Sequence, residues 1–193
     1  MSPPAGRVEE IRIYPVKSLG GRSLPSTAVE ASGLVGDRAY AVVGETGAVL
    51  RGKDLPALRD LPATGDPETD AAAVAAAVGS PVRLEPVADR QGAAAVHLVS
   101  RQALDRAAAG EVPEGCTAED PRANLVLTLD DGEDERSWPG RRVRIGTAVL
   151  QATRRPKHCL GVYADVVEPG IVSVGDPVQV DDAGPAGLPR LAR

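Results

Sequence analysis

The chain has 193 residues, a net charge of −5, and 42% hydrophobic but only 2% aromatic residues, with no Phe. The negative charge argues against nucleic acid or an anionic membrane as partner, since both need a cationic face. No apolar run of about 18 residues occurs, and Met1-Ser2-Pro3-Pro4 lacks the basic, apolar character of a leader. A cytoplasmic protein with a core of Val, Leu, Ala and Ile is expected.

Taken in order, the apolar alternation is that of strands. Val8 to Tyr14 places Ile11 and Ile13 on one face and Glu10 and Arg12 on the other. Ala39 to Val43 and Ala48 to Arg51 flank Gly44-Glu45-Thr46-Gly47 as a hairpin. Thr69 to Val78 is Ala-rich and followed by Gly79, which predicts a helix. Strands are predicted at Val82 to Val87 and Ala94 to Val99, then a second helix from Ser100 to Ala109 that stops at Gly110. Further strands are expected at Ala123 to Leu129, Arg142 to Ile145, Ala148 to Thr153, Gly161 to Val167, Ile171 to Val174 and Pro177 to Val180. Gly146-Thr147 and Glu168-Pro169-Gly170 suit the tight turns between them. Many short strands with two helices point to a mainly β, barrel-like fold. Residues 183–193, rich in Gly and Pro, are expected as a flexible tail.

Cys116 and Cys159 are too few for a disulfide scaffold. A zinc site could draw on His97, Cys116, His158 and Cys159, but adjacent residues chelate poorly and no Cys-x-x-Cys is present. Cys159 follows Arg154-Arg155-Pro156-Lys157-His158, and cations beside a thiol lower its pKa. It is either a thiolate ligand or nucleophile, or a small buried hydrophobe. Local residues do not separate the two.

Three segments together resemble the MOSC family, named for the C-terminal domain of molybdenum-cofactor sulfurases and similar to the amidoxime-reducing proteins. They are Val8-Glu9-Glu10-Ile11-Arg12-Ile13-Tyr14-Pro15-Val16-Lys17-Ser18, then Gly33-Leu34-Val35-Gly36-Asp37-Arg38, and a stretch from Arg122-Ala123-Asn124 through Gly161-Val162-Tyr163 to Gly175-Asp176-Pro177-Val178. The resemblance spans residues 7 to 181 and implies a β-barrel with an N-terminal β subdomain at 1–85 and a core domain at 86–182. It implies the molybdenum cofactor, a pterin whose dithiolene holds the metal and whose side arm ends in phosphate. Cys159 would be the catalytic residue and protein ligand to molybdenum, since thiolates suit soft metals. Lys17, Ser18, Arg38 and Arg122 would hold the pterin and phosphate. Ser100 would add a hydroxyl at a helix start, and Asn124 would orient the loop or the cofactor.

Each residue has a plainer reading. Lys17 and Ser18 could be a solvated strand end, Arg38 a surface ion pair with Asp37, Arg122 likewise with Asp120, Ser100 only a helix cap, and Asn124 a strand residue satisfied by backbone. The chain departs from the family where Leu160-Gly161 follows Cys159 at once, without the longer segment many members carry. The function implied is an oxidoreductase that takes oxygen from N-hydroxylated small molecules. Its electrons would come from a separate donor protein, because two cysteines cannot also hold an iron–sulfur cluster. The alternative is a carrier, with a persulfide on Cys159 or the cofactor held for delivery.

Overall fold

The computed structural model describes residues 4–87 and 94–181. Along them run β1 (Gly6–Ile13), β2 (Arg22–Leu24), β3 (Ser26–Glu30), β4 (Gly33–Leu34), β5 (Tyr40–Gly44), α1 (Pro67–Val78), β6 (Val82–Pro86), β7 (Val96–Ser100) and α2 (Arg101–Ala108). They continue as β8 (Leu125–Leu129), β9 (Arg142–Ile145), β10 (Ala148–Arg154), β11 (Val162–Glu168), β12 (Gly170–Ser173) and β13 (Pro177–Val180), with single 3-10 turns at Pro56–Asp60 and Glu135–Ser137. The fold is mainly β. Seven strands close in the order β13-β9-β10-β11-β7-β8-β1, and Gly6 opposite Val178 seals the barrel.

The barrel core follows from alternation. In β9 the exposed Arg142 and Arg144 alternate with the buried Val143 and Ile145. Ile11, Leu98, Leu125, Leu127, Leu150 and Trp138 fill the interior. β7 and β8 are paired parallel, and α2 makes the crossover between them. Both faces of these two strands are therefore covered. Leu98 and Leu125 point into the barrel, while Val99 and Val126 pack with Ala103, Ala107 and Leu160 under the helix. Ser100 caps α2, its Oγ accepting from the Ala103 N–H at 3.1 Å.

Of the segment 1–85 expected as a first subdomain, β1 and β2 stand in the barrel sheet beside strands from 86–182. The remainder carries β12-β3-β4, to which β12 is supplied from the far end of the chain, and the β5–β6 ladder. α1 packs on that ladder over a small core of Val16, Leu19, Val42, Leu58, Ala63 and Val74. The hairpin expected at Gly44–Gly47 forms, its second arm meeting β5 through the Val43–Val49 bridge and the Gly44 N–H to Ala48 O and Leu50 N–H to Val42 O bonds. β2, β3 and β4 were not predicted. β2 and β3 are short and mostly exposed, and β4 is a buried pair of residues, so none carries apolar alternation. The expected tail at 183–193 lies outside the described residues. Among the described residues no helix is long and apolar enough to cross a membrane.

The burial pattern sets an expectation for stability. Leu125→Ala should cost about 2–5 kcal/mol in chemical denaturation, because the rigid barrel cannot close the void. Ile171→Ala, at a position 57% exposed, should stay within about 0.5 kcal/mol.

Candidate functional site

The segment after β1 and the segment before β5 are laced together by backbone bonds. Arg38 N–H donates to Tyr14 O at 2.7 Å, Tyr40 N–H to Pro15 O at 3.1 Å, and Lys17 N–H to Tyr40 O at 2.8 Å. Asp37, 1% exposed, accepts from the Tyr14 N–H at 2.8 Å through one carboxylate oxygen and from the Arg38 guanidinium through the other. Arg38 Nη2 then donates to the Arg122 carbonyl at 3.2 Å. The Tyr14 ring lies among these groups, with Arg122 Cζ 4.2 Å and Arg38 Cζ 5.3 Å from its centroid, both within cation–π range.

Among the described residues, only three other than glycine have positive φ: Ser18 at 76°, Arg38 at 49° and Arg122 at 55°. A left-handed backbone costs a side-chain-bearing residue about 1–2 kcal/mol. Such strain persists only where the surroundings over-determine it, and it concentrates at sites that bind or react. All three were expected from the sequence as cofactor-binding residues, although nothing in the sequence marks them as strained.

Two adjoining cavities meet at Arg59 and Arg122. One, of about 640 Å³, is lined by Lys17, Ser18, Arg51, Lys53, Arg59 and Arg122 against a wall that includes Val43, Val49 and Leu50. The other, of about 570 Å³, adds Arg12, Tyr14 and Arg22, together with Glu119 and Asp120. Burial, with the nearby charges of Arg38 and Arg59, lowers the pKa of Arg122 from the ordinary guanidinium value. Crowded cations of this kind are relieved by an anion between them. Burial likewise raises the Tyr14 phenol, so it stays protonated.

The thiol lies in neither cavity lining. Cys159 is half-buried, its carbonyl accepting from Cys116 Sγ at 3.2 Å and Arg136 Nη1 at 3.4 Å. The next carbonyl, of Leu160, is 2.8 Å from His97 Nε2, and the His97 ring meets Tyr163 edge-on at 4.7 Å. Burial lowers the His97 pKa to about 4, and burial with the nearby Cys159 raises that of Tyr163. Arg38 acts electrostatically on both His97 and Tyr163.

The expected cationic activation of Cys159 is corrected by the structure. Its pKa is raised, first by burial and then by Cys116 and Glu119. Adjacency in sequence misled because the flanking side chains turn elsewhere. Arg154 lies over Tyr163, Arg155 Nε donates to Arg136 O at 2.6 Å, and His158 Nδ1 is 3.3 Å from Gly115 O.

The remaining candidates are placed as follows. Asn124 is buried and occupied: Oδ1 accepts from the His97 N–H at 3.1 Å and Nδ2 donates to Arg12 O at 3.3 Å. It joins β1 to β7 and so fixes the loop carrying Arg122. Ser100 sits apart from both cavities, its N–H donating to the buried Glu135 at 3.1 Å. Sequence reasoning missed Tyr14 and Arg59, and weighed His97 only as a zinc ligand. Arg51-Gly52-Lys53 was a visible basic cluster, but no signal tied Arg59 to it.

A family model for the MOSC N-terminal beta barrel domain matches residues 5–114, more than half of the chain. The chain belongs to that family. The MOSC assignment makes it, at the coarse level, a molybdenum-cofactor-associated domain. No curated protein matches the sequence. The crystal structure of the YuaD protein from Bacillus subtilis aligns over 91% of this chain and 94% of that chain, at 16% identity and a TM-score of 0.53. That likeness is one of fold. A hypothetical protein of known structure aligns over 90% of this chain and 68% of its own, at 14% identity and a TM-score of 0.45.

Two measurements check the geometry around the thiol. Gly161 has φ +82°, and a Cβ there would land on Leu98 O and lie 3.1 Å from His97 Nε2. Gly161→Ala should therefore destabilise by about 2 kcal/mol or more in chemical denaturation. His97 has its pKa depressed from 6.5 to about 4, so the unfolded chain binds more protons between those values. Stability is then full above about pH 6.5 and lost as pH falls toward 4, by roughly 3 kcal/mol in all. His97→Gln should flatten the fall of melting temperature over that window, and an unchanged slope would refute the assignment.

Proposed function

We propose that this MOSC protein binds the molybdenum cofactor in the cleft beside Tyr14, with Cys159 as its ligand to the metal, and reduces N-hydroxylated small molecules. The observation that carries the reading is the coincidence of strain and charge at Ser18, Arg38 and Arg122. Arg38 is already paired with Asp37, but Arg122 sits half-buried beside Arg38 and Arg59 on a left-handed backbone, an arrangement that suits a bound phosphate.

The donor chemistry of the residues suits the group, with Cys159 standing outside the lining of both cavities. Lys17, Ser18 and Arg122 line one cavity and offer donors to a phosphate. A soft metal displaces the proton of a thiol, so the raised pKa of Cys159 is compatible with ligation. When bound, the cofactor supplies a redox metal centre able to accept oxygen from an N–OH group. The chain's own work is to hold. Asp37 fixes Arg38 on Tyr14, Asn124 fixes the Arg122 loop, and His97 pins the Leu160 carbonyl and with it the position of Cys159. Electrons come from a separate donor protein.

The carrier reading with a persulfide on Cys159 relied on cations facing the sulfur. Arg155 and His158 are engaged with backbone carbonyls instead, which weakens that support.

Protein made in a host that synthesises the cofactor should contain stoichiometric molybdenum and pterin and turn over N-hydroxylated compounds with a chemical reductant. Cys159→Ala should abolish turnover. Bound sulfane sulfur without molybdenum would overturn the proposal in favour of the carrier. Ser18→Gly relieves a left-handed serine and should raise stability by about 1 kcal/mol while lowering pterin occupancy.

A further inference from the structure

The larger cavity holds more positive charge than one phosphate needs. Lys17, Ser18 and Arg122 account for a single anion, yet Arg51, Lys53 and Arg59 line the same space of about 640 Å³. Among the described residues no ion pair holds Lys17, Arg51 or Lys53. Arg59 pairs with Glu119 at 3.1 Å, but both side chains are largely exposed, so the pair is weak and yields readily to a phosphate. The acid in the lining, Glu85, is already taken by Arg83 at 2.8 Å.

The second group of cations is built against the first. Gly52 is buried between Ser18 and Arg59, and a Cβ added there would lie 3.4 Å from Ser18 Cβ and 3.4 Å from Arg59 Cγ. Gly52 thus seats the Arg51–Lys53 segment directly beside Ser18 and Arg59. The opposite wall, with Val43, Val49, Leu50 and Val87, is apolar. A volume of this size suits a whole ligand, not a lone ion.

We infer that this cavity binds an organic diphosphate, one phosphoryl group at Lys17, Ser18 and Arg122, the second at Arg51, Lys53 and Arg59, its organic part against Val43, Val49 and Leu50. The first of these groups rests on the reading under Proposed function; the second does not. The diphosphate has two possible sources: a nucleotide extension of the cofactor's own phosphate, or a separate ligand. Either places two adjacent phosphoryl groups in the same ring of cations.

The test uses the full chain in two arms. Acid hydrolysis of the loaded protein, followed by chromatography, reads any nucleoside monophosphate released alongside pterin. Calorimetry on protein stripped of cofactor compares ADP with AMP and pyrophosphate with orthophosphate. An equimolar nucleotide that disappears in R51Q/K53Q assigns the diphosphate to the cofactor. Pterin without nucleotide, with ADP bound at least about tenfold tighter than AMP, assigns it to a separate ligand. That preference should vanish in R51Q/K53Q, whose positions are exposed, and persist in the control R144Q on the outer face of β9. No released nucleotide together with no diphosphate preference, or either signal undiminished in R51Q/K53Q, would overturn the inference. A preparation free of molybdenum and pterin would count against the cofactor reading alone, because the calorimetric arm is decided without them.

Discussion

A buried carboxylate that cannot be left alone organises the cleft. Asp37 is inaccessible to water, and an unpaired charge there would cost several kcal/mol. It is satisfied by dividing its two oxygens between the Tyr14 backbone and the Arg38 guanidinium. That division holds the segment after β1 and the turn before β5 in register. It also commits Arg38 to a left-handed backbone and aims its second nitrogen at the Arg122 carbonyl. One interaction thereby sets Arg38 and the Arg122 backbone against Tyr14, and Arg122 lines both cavities.

The barrel supplies the rigidity this arrangement needs. Parallel pairing of β7 and β8 buries both faces of the two strands, which gives the segment entering β8 a fixed frame. Asn124 uses that rigidity directly, bonding β1 at Arg12 and β7 at His97 from a position two residues after Arg122. His97 passes it on to Leu160 and the turn at Gly161. The arginine cluster and the thiol are thus anchored to the same few strands, although they line different parts of the protein surface.

Much of the barrel was legible because half-buried strands alternate. β9, β10 and the Gly146-Thr147 turn follow directly from Arg142-Val143-Arg144-Ile145 and the apolar run after it. The short strands β3 and β4 of the smaller sheet were not legible, since Ser26–Glu30 buries only Val29 and reads as loop. At the site, the MOSC motifs pointed to Ser18, Arg38 and Arg122, but their left-handed backbones arise from tertiary bonds that no local pattern encodes. The electrostatics of Cys159 were misread for the same reason: neighbouring positions in sequence do not fix where long side chains point. Arg59 comes to Arg122 from a separate 3-10 turn, a proximity that exists only in the folded chain.

Anomalous diffraction at the molybdenum edge, from crystals of protein purified with its cofactor, tests the central claim most directly. One peak within bonding distance of Cys159 Sγ, with phosphate density between Lys17, Ser18 and Arg122, is the expected result. A peak elsewhere on the molecule, or a Cys159 left uncoordinated beside a well-occupied metal, would contradict it.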